Sequence, residues 1–461
     1  MSDWLHPALA AAGRWLEYQQ RASRLPGLQF AVAHRGQTVT NTALGVKSRS
    51  SGEPLATDTR LRVASHSKTF TAVGIMRLVE SGRLRLDDKA GDYVAGLHAD
   101  TAQTTIAQLL SHTAGLTRDG DDAGQWQMRR PFLDATELRH ALAEDPVISA
   151  NTRFKYSNHG FGLLGLIIEQ ITGELYPGWI AREVVARAAL TQTSPDGPLP
   201  PHVPLASGHG VAALLGEPFE IDNGGSTGAL ASATGFVSTA CDLVQFYSLL
   251  APDAADTLLS QSSRREMTRR HWRIPDMTAE RHYGLGLMHG GDGEWAWFGH
   301  GGAFPGHLSH TFVVPTQGLA ISIIVNTVDM APIALVDGVI SILRACALKG
   351  AATAVTLPWS GRFWSIWGAV DLLPVGDRVL VMQPAQQAPL LDAIELIDVG
   401  ETTARIGKAH GFSSHGEGAR IELDADGQPR ALWLGGSRLL PEAAMTAEVR
   451  QRFRLGHDES G

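Results

Sequence analysis

Near the start of the chain an apolar run, Leu28 to His34, is followed by a threonine-rich run with apolar residues interspersed, Thr38 to Leu44, and Arg35-Gly36-Gln37 separates them. That pattern predicts a β-hairpin with the triplet as its turn. Farther on, Thr69 to Glu80 carries Phe70, Val73, Ile75, Met76, Leu78 and Val79 on most sides of a helical wheel and stops at Ser81-Gly82. A helix that apolar is buried, and glycine ends it. From about residue 87 to 280 helical periods alternate with polar loops, at Ile106 to Ser111, Thr136 to Ala143, Phe161 to Ile171 and Ala240 to Leu250. This stretch reads as an all-helical lobe.

Strand patterns return after Tyr283-Gly284-Leu285-Gly286-Leu287, at Glu294 to Phe298, Leu308 to Val314 and Leu319 to Val325, with Pro315-Thr316-Gln317-Gly318 as a turn. The helical run Ile333 to Leu348 is expected to cover the sheet and close the first domain. Strands at both ends of a helical insertion predict an α+β fold: one antiparallel sheet with flanking helices and an inserted helical lobe, and a cleft where they meet. Gly350 to Ala354 reads as a small-residue linker, and beyond it short alternating runs are cut by turns such as Asp424-Ala425-Asp426-Gly427. The expected domains are therefore residues 1–350 and an accessory β-barrel or sandwich over 355–455. Trp359, Trp364 and Trp367 are expected in its core or at its contact with the first domain, and the tail after Arg454 is expected to fray.

A length of 461 residues exceeds what one core usually holds, in keeping with two domains. A net charge of -8 excludes nucleic acid and an anionic membrane surface as main partners, because both call for clustered lysine and arginine. Apolar stretches such as Leu319 to Val325 are too short to span a bilayer, and Met1 to Pro7 lack a basic then apolar leader pattern. Cys241 and Cys346 form no disulfide framework, so a cytoplasmic protein is expected. Its expected partner is a small molecule or short peptide, with no cofactor or metal; the oligomeric state is left open.

The chemistry begins at Ser65-His66-Ser67-Lys68, at the start of the buried helix. Residues at i and i+3 share a helix face, so the Lys68 amine reaches the Ser65 hydroxyl. Burial disfavours the charged amine and readies it as a base, while the free N–H groups of the helix start favour negative charge at Ser65. Among six lysines a chance Ser-x-x-Lys is expected about 0.4 times, so the motif needs company. Tyr156-Ser157-Asn158 precedes the helical run from Phe161, and a chance Tyr-x-Asn is expected only about 0.07 times. His300-Gly301-Gly302 follows at a strand end before Pro305 and Gly306, a suitable exposed edge for a bound substrate.

With these motifs in order, the chain resembles the serine β-lactamase and penicillin-binding superfamily, in the branch of class C β-lactamases, D-aminopeptidases and related esterases. The resemblance covers about residues 10 to 350. Arg62-Val63-Ala64, Leu109-Leu110-Ser111-His112-Thr113-Ala114-Gly115-Leu116 and Gly235-Phe236-Val237-Ser238-Thr239-Ala240 add to it. It implies that Ser65 is acylated, that Lys68 and Tyr156 share proton transfer, and that Asn158, His300, Gly301 and Gly302 line the substrate site. It also implies an oxyanion hole built from the N–H groups of Ser65 and Ala303. His300 stands where the β-lactamase pattern has lysine, and histidine is mostly neutral at pH 7. The resemblance therefore implies an amidase, peptidase or esterase, with D-amino-acid substrates included, rather than an efficient β-lactamase.

Other residues receive plainer readings. His112 is expected to organise its own loop, since nothing in the sequence puts it beside Ser65. Asp119-Gly120-Asp121-Asp122 lacks the spacing and terminal glutamate of a calcium loop and reads as a solvated turn. A metal hydrolase is suggested by His300, His307 and His310, but no His-Glu-x-x-His or paired cysteines accompany them. A non-hydrolytic sensor or scaffold with an acylable serine is the remaining alternative.

Overall fold

The computed structural model describes residues 3–254 and 258–454. Contacts divide the chain into two units, Leu25–Val336 and, separately, the chain up to Arg24 with the chain from Asp337 onward. The longer helices are α1 (Leu5–Ala22), α2 (His66–Glu80), α3 (Asn158–Thr172), α4 (Ala240–Ser248) and α5 (Pro332–Lys349). Among the described residues no helix is long and apolar enough to cross a membrane.

The first unit is built on an antiparallel sheet of eight strands. They are β1 (Gly27–His34), β2 (Gln37–Gly45), β3 (Trp272–Ile274), β4 (Arg281–Tyr283), β5 (Met288–Gly290), β6 (Trp297–Phe304), β7 (His307–Val314) and β8 (Leu319–Val325), in the order β2-β1-β8-β7-β6-β5-β4-β3. Strands from the two ends of this unit's sequence are neighbours in it: β1 pairs with β8 from Leu28 opposite Val325 to His34 opposite Leu319. Both strands are buried throughout or nearly so, and this is why they read as unbroken apolar runs. The edge strand β2 carries Gln37, Thr38, Thr40, Asn41 and Thr42 and alternates between exposed and half-buried positions.

Three local expectations change. The helix at Ala240, α4, leaves the helical lobe and lies against β1, β7 and β8, because its face of Leu243, Val244, Phe246 and Tyr247 is buried there. The strand expected to end at Phe298 instead begins after a 3-10 turn at Gly293–Trp295 and runs on through His300-Gly301-Gly302 to Phe304. Glycines weaken a strand signal, but pairing with β7 from Phe298 opposite Val313 to Phe304 opposite His307 supplies the ladder. The three-residue strands β3 to β5, one of them inside the stretch read as helical, are too short for a period to show. Between α2 and α4 the helices enclose one core, in which Phe70 stacks between Phe236 and Phe246 at ring distances of 4.3 and 3.8 Å.

In the second unit α1 buries Leu5, Leu9, Ala12, Trp15 and Leu16 at helical spacing, a period that its many alanines hide in the sequence. Eight strands follow in simple succession: β9 (Gly361–Ser365), β10 (Gly368–Val375), β11 (Arg378–Met382), β12 (Ile394–Ile397), β13 (Thr403–Lys408), β14 (Gly418–Leu423), β15 (Pro429–Leu434) and β16 (Ser437–Leu439). Trp364 in β9 and Leu440 after β16 exchange both backbone hydrogen bonds at 2.7 and 2.9 Å, so the sheet curls into a nearly closed barrel. Trp359 lies in its core and donates to the Gly400 carbonyl at 3.0 Å, and Trp364 packs beside Tyr18. Trp367 does not join them: it stands 93% exposed in the turn between β9 and β10.

Candidate active site

Ser65 follows a short strand, Leu61–Arg62, that pairs with Val237–Ser238. Arg62 is buried and locks the surrounding loops, donating from Nε to the Asn223 carbonyl at 2.9 Å and from Nη1 to the Gly235 carbonyl at 2.8 Å. The Val63 N–H donates to Phe236 O at 3.0 Å, and Ala64 then turns with φ at 46°, a left-handed conformation that non-glycine residues adopt at a cost. Ser67 holds this turn: its hydroxyl donates to the Ala64 carbonyl at 2.5 Å and accepts the Phe236 N–H at 3.0 Å. The chain thereby delivers Ser65 to the N-cap of α2, yet the Ser65 side chain makes no capping bond. Its oxygen is left for other partners.

Those partners are Lys68 and Tyr156. Lys68 Nζ lies 3.2 Å from Ser65 Oγ, and the Tyr156 hydroxyl lies 2.7 Å from the same oxygen on the other side. Lys68 also donates to Asn158 Oδ1 at 2.7 Å and to the Ala233 carbonyl at 2.8 Å. Burial pulls the Lys68 amine well below the ordinary lysine range, with Asp119 acting upward and Arg118 downward. In its neutral form an amine has two N–H bonds and one lone pair; with the Asn158 and Ala233 carbonyl oxygens taking the N–H bonds, the lone pair of a neutral Lys68 would face Ser65. Burial pushes the Tyr156 phenol upward, so it stays protonated near neutrality, although the Ser65 bond and Arg118 act against the shift.

His300, Gly301, Gly302 and Ala303 lie on β6, whose pairing with β5 covers Trp297, Phe298 and Gly299 and goes no farther. With Ser65, Tyr156 and Asn158 they line one cavity of about 770 Å³. The glycines answer to the protein itself: a Cβ at Gly302 would meet Ser309 Oγ at 2.6 Å and the Val63 carbonyl closer still, and one at Gly301 would meet His310 Nδ1 at 2.6 Å. His300 is 2% exposed, and its ring contacts the Gly301 carbonyl from Nδ1 at 2.6 Å and the Tyr283 hydroxyl from Nε2 at 2.8 Å. A carbonyl only accepts, so Nδ1 carries the proton and Tyr283 donates to Nε2. Burial, then the neighbouring Lys68, hold His300 down to about 3, so the ring is neutral.

Sequence reasoning missed several neighbours. Asp119, assigned to a solvated turn, is 8% exposed and accepts from Asn158 Nδ2 at 2.6 Å and Trp126 Nε1 at 2.9 Å; its companions Asp121 and Asp122 are exposed as expected. His112 does organise its loop, taking the Ser157 N–H on Nδ1 at 3.1 Å, but it also packs on Tyr156 with ring centres 4.3 Å apart. Tyr283 carries no motif and is found only through its contact with His300. The three histidines of the metal reading do not converge: His310 shares a face with Gly301, opposite to His300, and His307 pairs with Asn223 at 2.7 Å.

The family model described as beta-lactamase matches residues 13–339. Penicillin-binding protein 4 of Amycolatopsis lactamdurans is 30% identical over 335 residues, covering 66% of this chain and 81% of its own length. The chain spans about a third of the Staphylococcus aureus protein flp, 26% identical over 184 residues that make up 39% of this chain and 36% of flp. Among solved structures, SurE aligns over 94% of this chain and 99% of its own at 25% identity with a TM-score of 0.61. A D-stereospecific amidohydrolase from Streptomyces sp. aligns over 69% and 94% at 26% identity with a TM-score of 0.58. With the family model spanning the sheet, the helical lobe and the Ser65 centre, the chain belongs to the beta-lactamase family and has its β-lactamase/transpeptidase fold.

Proposed function

We propose that this protein is a serine hydrolase that cleaves an amide, peptide or ester bond through an acyl-enzyme at Ser65. The observation that carries the proposal is the Ser65 oxygen held between the buried Lys68 amine at 3.2 Å and the Tyr156 phenol at 2.7 Å, with the amine's other two partners both carbonyl oxygens. Lys68 takes the Ser65 proton as Oγ attacks the substrate carbonyl carbon. The resulting oxyanion is met by the N–H groups of Ser65 and Ala303, each worth roughly 3–4 kcal/mol in comparable sites. Tyr156 gives its proton to the leaving amine or alcohol and recovers one from Lys68; water then releases the acyl group along the reverse route.

Neutral His300 provides no fixed cation for a substrate carboxylate, which supports an amidase, peptidase or esterase over an efficient β-lactamase. Similarity to a D-stereospecific amidohydrolase supports placing D-amino-acid amides among the substrates. The test is a panel of D- and L-amino-acid amides, short-chain esters and a chromogenic cephalosporin, run with the wild type and Ser65→Ala. Turnover of an amide or ester that Ser65→Ala abolishes is expected, with an acyl mass on Ser65 in the wild type. Full activity in Ser65→Ala would refute the proposal, and a stable acyl mass without turnover would make the protein a sensor.

A further inference from the structure

Asn158 presents two groups of equal size, a carbonyl and an amino group, and only one orientation leaves the Lys68 lone pair to Ser65. With the oxygen toward Lys68, Asn158 accepts an N–H at 2.7 Å; with the nitrogen there, it would donate to the amine and compete for the lone pair. The partner on the far side decides. Asp119 Oδ1 can only accept, and it lies 2.6 Å from Asn158 Nδ2. Trp126 Nε1, donating to the same Oδ1 at 2.9 Å, and Arg118 Nε, 3.3 Å from Oδ2, pin the carboxylate in turn. We propose that Asp119 is a positioning residue that locks the Asn158 amide with its oxygen toward Lys68, and that supplies the anion one hydrogen bond behind the base. The inference rests on the reading of Lys68 as the general base.

The groups facing Lys68 are few. Tyr156 lies over it from the loop before α3, His112 from the loop after the short helix Ile106–Leu110, His300 from β6, and Arg118 and Asp119 from the loop between. His159 on α3 faces Asp119. Tyr156 and the histidines are neutral near pH 7, because burial pushes the phenol up and the imidazoles down. Asp119 and Arg118 are therefore the charges that set Lys68 against each other, Asp119 favouring its protonated form.

Asp119→Asn keeps the shape, removes the anion and gives the Asn158 amide a partner with no orientation preference. The expected result has two parts: the plateau of kcat/KM falls about tenfold or more, and its acid limb moves to lower pH, since Arg118 now acts on Lys68 unopposed. Asp119→Glu, which keeps the anion, is expected to hold the limb at the wild-type position whatever its plateau. Thermal melting of both variants separates folding from chemistry, and either variant alone tests the limb. An unmoved limb and plateau in Asp119→Asn, or a limb in Asp119→Glu that moves as far as in Asp119→Asn, would overturn the proposal. Ser65→Ala in the same assay isolates the underlying reading: turnover surviving there defeats the serine mechanism itself, not the role of Asp119.

Discussion

Gly302→Ala puts one methyl group where β6 touches the segment that carries the nucleophile. The new Cβ would lie 2.6 Å from Ser309 Oγ and nearer still to the Val63 carbonyl. The hydroxyl can rotate away, but the carbonyl cannot: Val63 is tied through its N–H to Phe236 at 3.0 Å, and Ala64 after it is held by Ser67. Strand β6 must therefore give way. Overpacking of this kind costs about 1–3 kcal/mol, and the lower freedom of alanine in the unfolded chain returns about 0.4–1 kcal/mol. The net loss of about 1–2 kcal/mol corresponds to a melting temperature lower by roughly 1.5–3 °C for a unit of this size. Ala303 moves with the strand, away from Ser65, and misplacement approaching 1 Å costs up to about 100-fold in rate. The assay pairs a thermal melt with the rate of Ser65 labelling by a fluorophosphonate. Gly178→Ala is the comparison, since nothing lies within 4 Å of its new Cβ in the short helix Tyr176–Ile180, and it should melt at or above the wild-type temperature. A Gly302→Ala protein that melts and labels like the wild type would refute the reasoning, as would equal losses in both variants.

Tyr156→Phe removes the hydroxyl 2.7 Å from Ser65 Oγ while keeping the ring against His112, so kcat should fall about 10²–10⁴-fold with the melting temperature little changed; a fall below twofold in steady-state kinetics would take Tyr156 out of proton transfer. His289, His300, His307 and His310 are held neutral, each down to about 3, chiefly by burial. The unfolded chain binds these protons near pH 6.5 and the folded chain does not, so their contribution is full above about 6.5 and is lost as pH falls toward 3. The urea midpoint should drop steadily over that window, and His289→Phe should flatten part of the slope; a wild-type midpoint unchanged between pH 7 and 4 would count against it.

Much of the site's chemistry was legible because it is local. Ser65 and Lys68 are one helical turn apart, and Tyr156 and Asn158 straddle the start of α3, so helix geometry alone gives each pair its relative placement. Asp119 was misread because an aspartate among other aspartates and a glycine has the composition of a turn; only burial beside Asn158 and Trp126 sets it apart. The partners of His300 were hidden for a similar reason, since Tyr283 lies in a three-residue strand with no period to mark it. The place of α4 was also invisible: an amphipathic face shows that a helix covers something apolar, and not whether that is the lobe or the sheet.

By itself the sequence determined the apolar runs of β1, β7 and β8, the buried helix α2, and the order of the three motifs, because each follows from spacing along a few residues. Only the tertiary structure decided that Ser65 and Tyr156, 91 positions apart, share a hydrogen bond, that β6 closes against Val63, and that Asp119 stands behind Asn158. Such contacts depend on how buried faces pack and on which polar groups must find partners once water is gone. No local period records them, since burial and pairing are properties of the assembled core.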